Sequence, residues 1–318
     1  MLTYFLFVFG FGILIKGADW LVDGASSLAK KLKIPAIVIG LTIVAFGTSA
    51  PELVVNIFAS AQGNTGLAIG NILGSNIANI LLILGISSII YPLAVKKNTT
   101  WKEIPLSLLA ALVVGILAND VLIDKTGISA LTRIDGLILI SFFIIFLVYI
   151  VGIAKEGFFE QKTKIKEIGN IRSVIYILLG LVSLTLGGKW IVDGAVAIAT
   201  ILGVSQSLIG LTIIAIGTSL PELATSAVAA YKKNADIAVG NIVGSNIFNL
   251  FWVLGVSAII RPLPFRPEIT LDIGMVILAS LALFTFIFIG KKRFLERWQG
   301  IFFITAYVFY IIFLVIRG

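Results

Sequence analysis

Glu52 and Glu222 are the residues whose setting most demands chemistry, because each carboxylate lies well inside an apolar run. An ionisable group in hydrocarbon costs at least ~2.5 to 3.5 kcal/mol, so two such groups mark a functional site. Each glutamate follows a proline, Pro51 or Pro221, and a Thr-Ser pair, Thr48-Ser49 or Thr218-Ser219. Proline has no N–H to offer and its ring pushes the preceding turn away. That frees the carbonyl of Gly47 or Gly217 and loosens Thr48 or Thr218. On a helix Ala45, Thr48, Ser49 and Glu52 share one face, and Ala215, Thr218, Ser219 and Glu222 repeat the set. Two further apolar runs carry a polar residue at every fourth position: Asn71, Ser75 and Asn79 in one, Asn241, Ser245 and Asn249 in the other. Carboxylates, carbonyls, hydroxyls and amides are hard oxygen ligands that suit Ca2+ and Na+. The chain has neither Cys nor His, which excludes disulfides, thiolate sites, thiol nucleophiles and imidazole proton switches, and disfavours zinc and copper.

Structural roles compete for some of these residues. Ser and Asn stripes also serve as hydrogen-bonding glue between helices. Asp23 and Asp193 match each other but lie near the ends of apolar runs, where capping or gating pairs are favoured over ion ligation. Trp20 and Trp190 read as interfacial or packing residues.

The elements that position these groups are membrane helices. Of 318 residues 59% are hydrophobic and 13% charged, with a mean hydropathy of +1.10, a balance that requires lipid as solvent. Long apolar runs without alternation predict helices rather than a barrel. Ten spans are predicted: 2–25, 36–61, 66–90, 104–117 and 134–153, then 174–199, 208–231, 237–260, 269–289 and 300–316. The first lacks a basic leader or cleavage site and reads as a retained span. Of the 24 Lys and Arg, 17 fall in the connections after odd-numbered spans and 5 on the other side. The positive-inside rule then puts the odd connections in the cytosol and both termini outside, in the cytoplasmic membrane. The net charge of +8 therefore needs no nucleic-acid partner.

The sequence is duplicated at an offset of 170. Gly40 to Ser49 recurs as Gly210 to Ser219, and Gly70 to Asn79 as Gly240 to Asn249, each at 8 of 10 positions. Five crossings separate a residue from its copy, an odd number, so the copies are inverted. The predicted fold is an all-α membrane protein of ten transmembrane helices in two inverted five-helix repeats, residues 1–154 and 173–318, joined by a cytosolic linker at 155–172. Gly70 and Gly74, with Gly240 and Gly244, have the small-xxx-small spacing that lets helices approach closely.

With Gly47-Thr-Ser-Ala-Pro-Glu52, Gly70-Asn-Ile-Leu-Gly-Ser-Asn-Ile-Ala-Asn79 and their copies, the whole chain resembles the sodium/calcium exchanger family of the cation/Ca2+ antiporter superfamily, most of all its compact prokaryotic members. The resemblance implies four cation positions in a central diamond. Ca2+ would be held by Glu52, Glu222 and the carbonyls of Thr48 and Thr218. Na+ would use those glutamates with Thr48, Ser49, Ser75, Thr218, Ser219, Ser245 and the carbonyls of Ala45 and Ala215, while Asn79 and Asn249 line the middle position. Potassium-dependent relatives carry Asp where this chain has Asn249, which argues against K+ co-transport.

The expected function is secondary antiport of Na+ for Ca2+ by alternating access, electrogenic if three Na+ exchange for one Ca2+, with no enzyme activity, no cofactor and no obligate protein partner. H+/Ca2+ antiport through the same glutamates is the nearest rival. A passive channel, and an intramembrane enzyme using Ser49 or Ser219 as nucleophile, are further readings; the enzyme would lack a histidine base.

Overall fold

A backbone in hydrocarbon must satisfy its own hydrogen bonds, and helices do so within one segment. The computed structural model describes residues 2–123, 125, 129–155, 168–202, 215–265 and 267–317, and these are helical apart from four two-residue strands and the connections. In chain order the main helices are α1 (Leu2–Leu32), α2 (Ala36–Thr48), α3 (Ala50–Gln62), α4 (Thr65–Ile90), α5 (Thr99–Leu117), α6 (Arg133–Lys155), α7 (Asn170–Ile201), α8 (Leu220–Tyr231), α9 (Ala235–Ile260), α10 (Pro267–Phe286) and α11 (Arg297–Arg317). Among the described residues eight helices are long and apolar enough to cross a bilayer, and α2 with α3, bent by 45° at their junction, make a ninth candidate. Exposed Phe5, Leu137, Ile145 and Phe309 give the bundle a hydrocarbon-facing exterior.

Several boundaries differ from the sequence expectation. Helix α1 continues past Ala25 to Leu32, which puts Lys30 and Lys31 in its last turn rather than in a connection. Lysines there complement the negative end of the helix dipole. Helix α5 begins five residues before Ile104, in a π-helical turn at Thr99–Glu103. The first part of the expected span 208–231, residues 208–214, and the linker residues 156–167 lie outside the described residues.

The interior is built from α4 and α9. Of their apolar windows 78% and 83% is buried, against at most 39% in any other long helix. Both start the same way, with Asn64 or Asn234 capping through its side-chain oxygen to the backbone N–H of Leu67 or Ile237 at 3.3 Å. Both widen into π-helix midway, at Ala78–Leu84 and Phe248–Val253. Such turns re-aim side chains, often at functional sites.

Glycine sets the outer packing. On α1 Gly10, Gly17 and Gly24 recur every seventh residue, as do Gly180, Gly187 and Gly194 on α7. A Cβ on Gly17 would stand 3.0 Å from the Gly180 carbonyl, and one on Gly187 2.9 Å from the Gly10 carbonyl. The two helices thus run antiparallel with backbones in contact. Close approaches of the same kind join α4 to α11 at Gly85 and Gly300, and α9 to α6 at Gly255 and Gly136. Helix α2 meets α9 at Gly40 and Gly240, and a Cβ on Gly244 would stand 2.7 Å from the Leu41 carbonyl. For Gly70 and Gly74 no such neighbour is found within 4 Å among the described residues.

The connections are tied in pairs. Strand β1 (Leu93–Ala94) pairs antiparallel with β4 (Phe294–Leu295), and β2 (Ala130–Leu131) with β3 (Leu263–Pro264).

Candidate functional site

Two helix breaks create the site. Ser49, at φ −85° and ψ 7°, interrupts the chain between α2 and α3, and Ser219, at φ −88° and ψ 5°, does the same before α8. Proline follows within the first turn of each new helix, where its missing N–H costs nothing, and the glutamate comes next. Glu52 and Glu222 therefore sit at the N-terminal ends of α3 and α8, not on one continuous helical face with the Thr-Ser pairs before them. That position sets each carboxylate at the positive end of a helix dipole. The break also redirects Thr48 and Ser49 away from Glu52 and across to the other half of the chain.

The side chains then bond in matching sets. Thr48 Oγ1 donates to Asn241 Oδ1 at 3.0 Å, and Thr218 Oγ1 to Asn71 Oδ1 at 3.2 Å. Asn71 Nδ2 donates to Asn56 Oδ1 at 2.8 Å, and Asn241 Nδ2 to Ser226 Oγ at 3.0 Å. Ser49 Oγ donates to Glu222 Oε1 at 2.8 Å. Ser75 Oγ donates to Glu52 Oε1 at 3.3 Å and lies 3.0 Å from Ser219 Oγ. Either hydroxyl can be the donor in the second contact. Asn249 Nδ2 also donates to Ser75, at 3.4 Å, and Asn79 Nδ2 donates to Asn246 Oδ1 at 2.9 Å. Ala45 contributes its carbonyl, which accepts from the Ser49 backbone N–H at 3.0 Å and the Thr48 hydroxyl at 3.3 Å.

Ten of the twelve residues singled out by the sequence are thus tied by hydrogen bonds into this cluster or to its immediate neighbours, and Ser245 is buried with its hydroxyl unpartnered. The twelfth, Ala215, opens the short helical turn Ala215–Thr218 ahead of Ser219. Glu52, Glu222, Thr48, Ser49, Ser75, Asn79, Ser245 and Asn249 are fully buried. Asn56 and Ser226 were not singled out, although each is a polar residue four positions after its glutamate in an apolar run. Their bonds hold Asn71 and Asn241, so they brace the cluster rather than join it.

The cluster has more acceptors than donors. Glu52 Oε2, Glu222 Oε2, Ser245 Oγ, Asn79 Oδ1 and Asn249 Oδ1 are buried with no hydrogen-bond partner. A buried polar atom without a partner costs ~1 to 3 kcal/mol, more for a charged one, and a cation is a partner that each of these oxygens could take. Among the described residues no group of three carboxylates, histidines or cysteines is present. The negative charge of the site is that of the two glutamates, and the remaining ligands are neutral oxygens.

Comparison with known proteins points the same way. The profile of the family described as sodium/calcium exchanger protein matches residues 2–152 and 172–316. The chain is 38% identical over 292 residues to the inner membrane protein YrbG of Escherichia coli (strain K12), covering 88% of this chain and 87% of YrbG. It is 30% identical over 346 residues to the sodium/calcium exchanger MaX1 of Methanosarcina acetivorans, covering 99% and 98%. Among solved structures it is similar to the sodium-calcium exchanger NCX_Mj soaked with 10 mM Na+ and 10 mM Sr2+, with a TM-score of 0.83, 34% identity and 97% of each chain covered.

Proposed function

We propose, from the premise that the chain belongs to the sodium/calcium exchanger family of membrane cation/Ca2+ antiporters, that it exchanges Na+ for Ca2+ by alternating access at a central site of Glu52 and Glu222. The observation that carries the reading is that both buried glutamates keep one carboxylate oxygen without a hydrogen-bond partner, as do Ser245, Asn79 and Asn249 at the other sequence-predicted ligand positions. Ca2+ would take the two glutamates with the carbonyls of Thr48 and Thr218. Na+ would spread over the glutamates with Thr48, Ser49, Ser75, Thr218, Ser219, Ser245 and the carbonyls of Ala45 and Ala215, with Asn79 and Asn249 at the middle. These ions are cargo, and the reading calls for no cofactor.

The two glutamates set the logic of the cycle. One Ca2+ cancels their charge, while an empty, doubly negative site resists crossing a low-dielectric barrier. Turnover is thus tied to loading, which makes the protein an exchanger rather than a leak. Three Na+ would leave one net positive charge, worth ~2.3 kcal/mol per 100 mV of membrane potential.

The paired bonds support a site between two inverted repeats, 1–154 and 173–318, joined through 155–172. Each contact of Thr48 with Asn241 or of Gly17 with Gly180 is answered by Thr218 with Asn71 or Gly10 with Gly187, the same residues displaced by 170. Ten spans and the bias of 17 basic residues to one side favour both termini outside the cell, in the cytoplasmic membrane. Ca2+ uptake into Na+-loaded proteoliposomes tests the site. Glu52→Gln and Glu222→Gln should each abolish it in correctly folded protein, and wild-type rates in both would refute the assignment.

A further inference from the structure

A second site lies at the edge of the bundle that carries most of the basic residues. The β1–β4 ladder brings two separate connections together there, with Leu93 opposite Leu295 and the Val95 N–H donating to the Arg293 carbonyl at 2.9 Å. The turn after α10 is held by Gly290 at φ 78° and Arg293 at φ 62°, and the Arg293 N–H donates to the Ile287 carbonyl at 2.8 Å. As a result Lys97, Lys292 and Arg293 line one cavity of about 550 Å³ with Trp101 and Phe288. Trp101 is 56% exposed, with its ring 5.3 Å from that of Phe288 and 5.9 Å from that of Phe284.

The neighbouring cations are already engaged. Lys96 pairs with Asp236 at 2.5 Å, Lys102 lies over the Tyr149 ring and Lys291 over the Phe294 ring. The nearby carboxylate of Glu296 accepts from the Lys291 N–H and the Trp298 indole. Lys97, Lys292 and Arg293 are exposed and have no acidic partner among the described residues. Three cations without an acidic partner beside an exposed tryptophan at a membrane edge suit an anion that also has an apolar body. The opposite edge does not repeat the arrangement. At the offset of 170 Pro267 stands for Lys97 and Leu271 for Trp101, so the fold itself does not require it.

We propose that this cavity binds the headgroup of an anionic phospholipid, the phosphate held by Lys97, Lys292 and Arg293 and the glycerol and upper acyl chain lying against Trp101 and Phe288. The site is separate from the cation cluster and does not depend on how that cluster works. Full-length protein in detergent, titrated with phosphatidylglycerol and examined by native mass spectrometry, should retain this lipid over phosphatidylcholine. Lys97→Gln/Lys292→Gln/Arg293→Gln should retain at least threefold less, while Lys33→Gln/Lys155→Gln/Lys233→Gln, on the same side, should retain as much as wild type. Equal loss in both triple variants would mean diffuse attraction and overturn the site, as would equal retention of phosphatidylcholine. In otherwise unaltered protein, brominated phosphatidylglycerol should quench a tryptophan component that Trp101→Phe removes, more strongly than brominated phosphatidylcholine does. Quenching indifferent to headgroup, or relieved equally by inorganic phosphate, would also overturn it.

Discussion

Glu222 is held by a hydroxyl from the opposite half of the chain and Glu52 by one from its own half, and the first of these bonds has a measurable consequence. Ser49 Oγ is 2.8 Å from Glu222 Oε1, a bond to a charged group in a water-poor site, worth ~1.5 to 3 kcal/mol. Ser49→Ala should raise the Ca2+ concentration for half-maximal uptake about tenfold or more, while Ser60→Ala, further along α3, should leave it unchanged; equal effects would show that Ser49 only packs. Most of these residues were legible in the sequence, since a carboxylate beside a proline in an apolar run is rare and its recurrence at an offset of 170 is rarer. What could not be read was direction. On an unbroken helix Thr48 and Ser49 share a face with Glu52, but the break at Ser49 turns them toward Asn241 and Glu222. Asn56 and Ser226 were missed because a single buried amide or hydroxyl in a span looks like ordinary interhelical glue until its partner is known.

At the scale of elements, the apolar runs predicted the helices and left their ends and irregularities open. Charge at Lys30 and Lys31 suggested a connection where α1 still has a turn to run, because long lysine stems carry their ammonium groups out to the interface. The π-turns in α4 and α9 have no local sequence signal, since they answer to the packing of neighbours. The glycine pattern does make a prediction. Gly187→Val, whose Cβ would stand 2.9 Å from the Gly10 carbonyl, should force α1 and α7 apart, cost ~1 to 3 kcal/mol and lower the detergent-solubilised melting temperature. Gly12→Val, with nothing within 4 Å of its Cβ, should melt like wild type. Similar melting for both would mean that the helix pair tolerates separation. Pro51→Ala should restore an N–H for the Gly47 carbonyl, favour a straighter α2–α3 junction and slow Ca2+ uptake; an unchanged rate would show that the break is held by packing alone.

For the molecule as a whole, the proposal is an exchanger whose site can be neutralised by one divalent or several monovalent cations but does not travel empty. Three Na+ per Ca2+ predicts a reversal potential in proteoliposomes that shifts with the Na+ gradient as a 3:1 coupling requires, and voltage-independent exchange would exclude it. With Asn249 neutral, added K+ should change neither the rate nor the reversal potential. The most direct test is radiolabelled Ca2+ uptake into proteoliposomes carrying an outward gradient of Na+, K+ or H+, one at a time. The account predicts uptake with the Na+ gradient alone, lost in Glu52→Gln and Glu222→Gln; uptake driven equally well by a pH gradient in sodium-free buffer would contradict it.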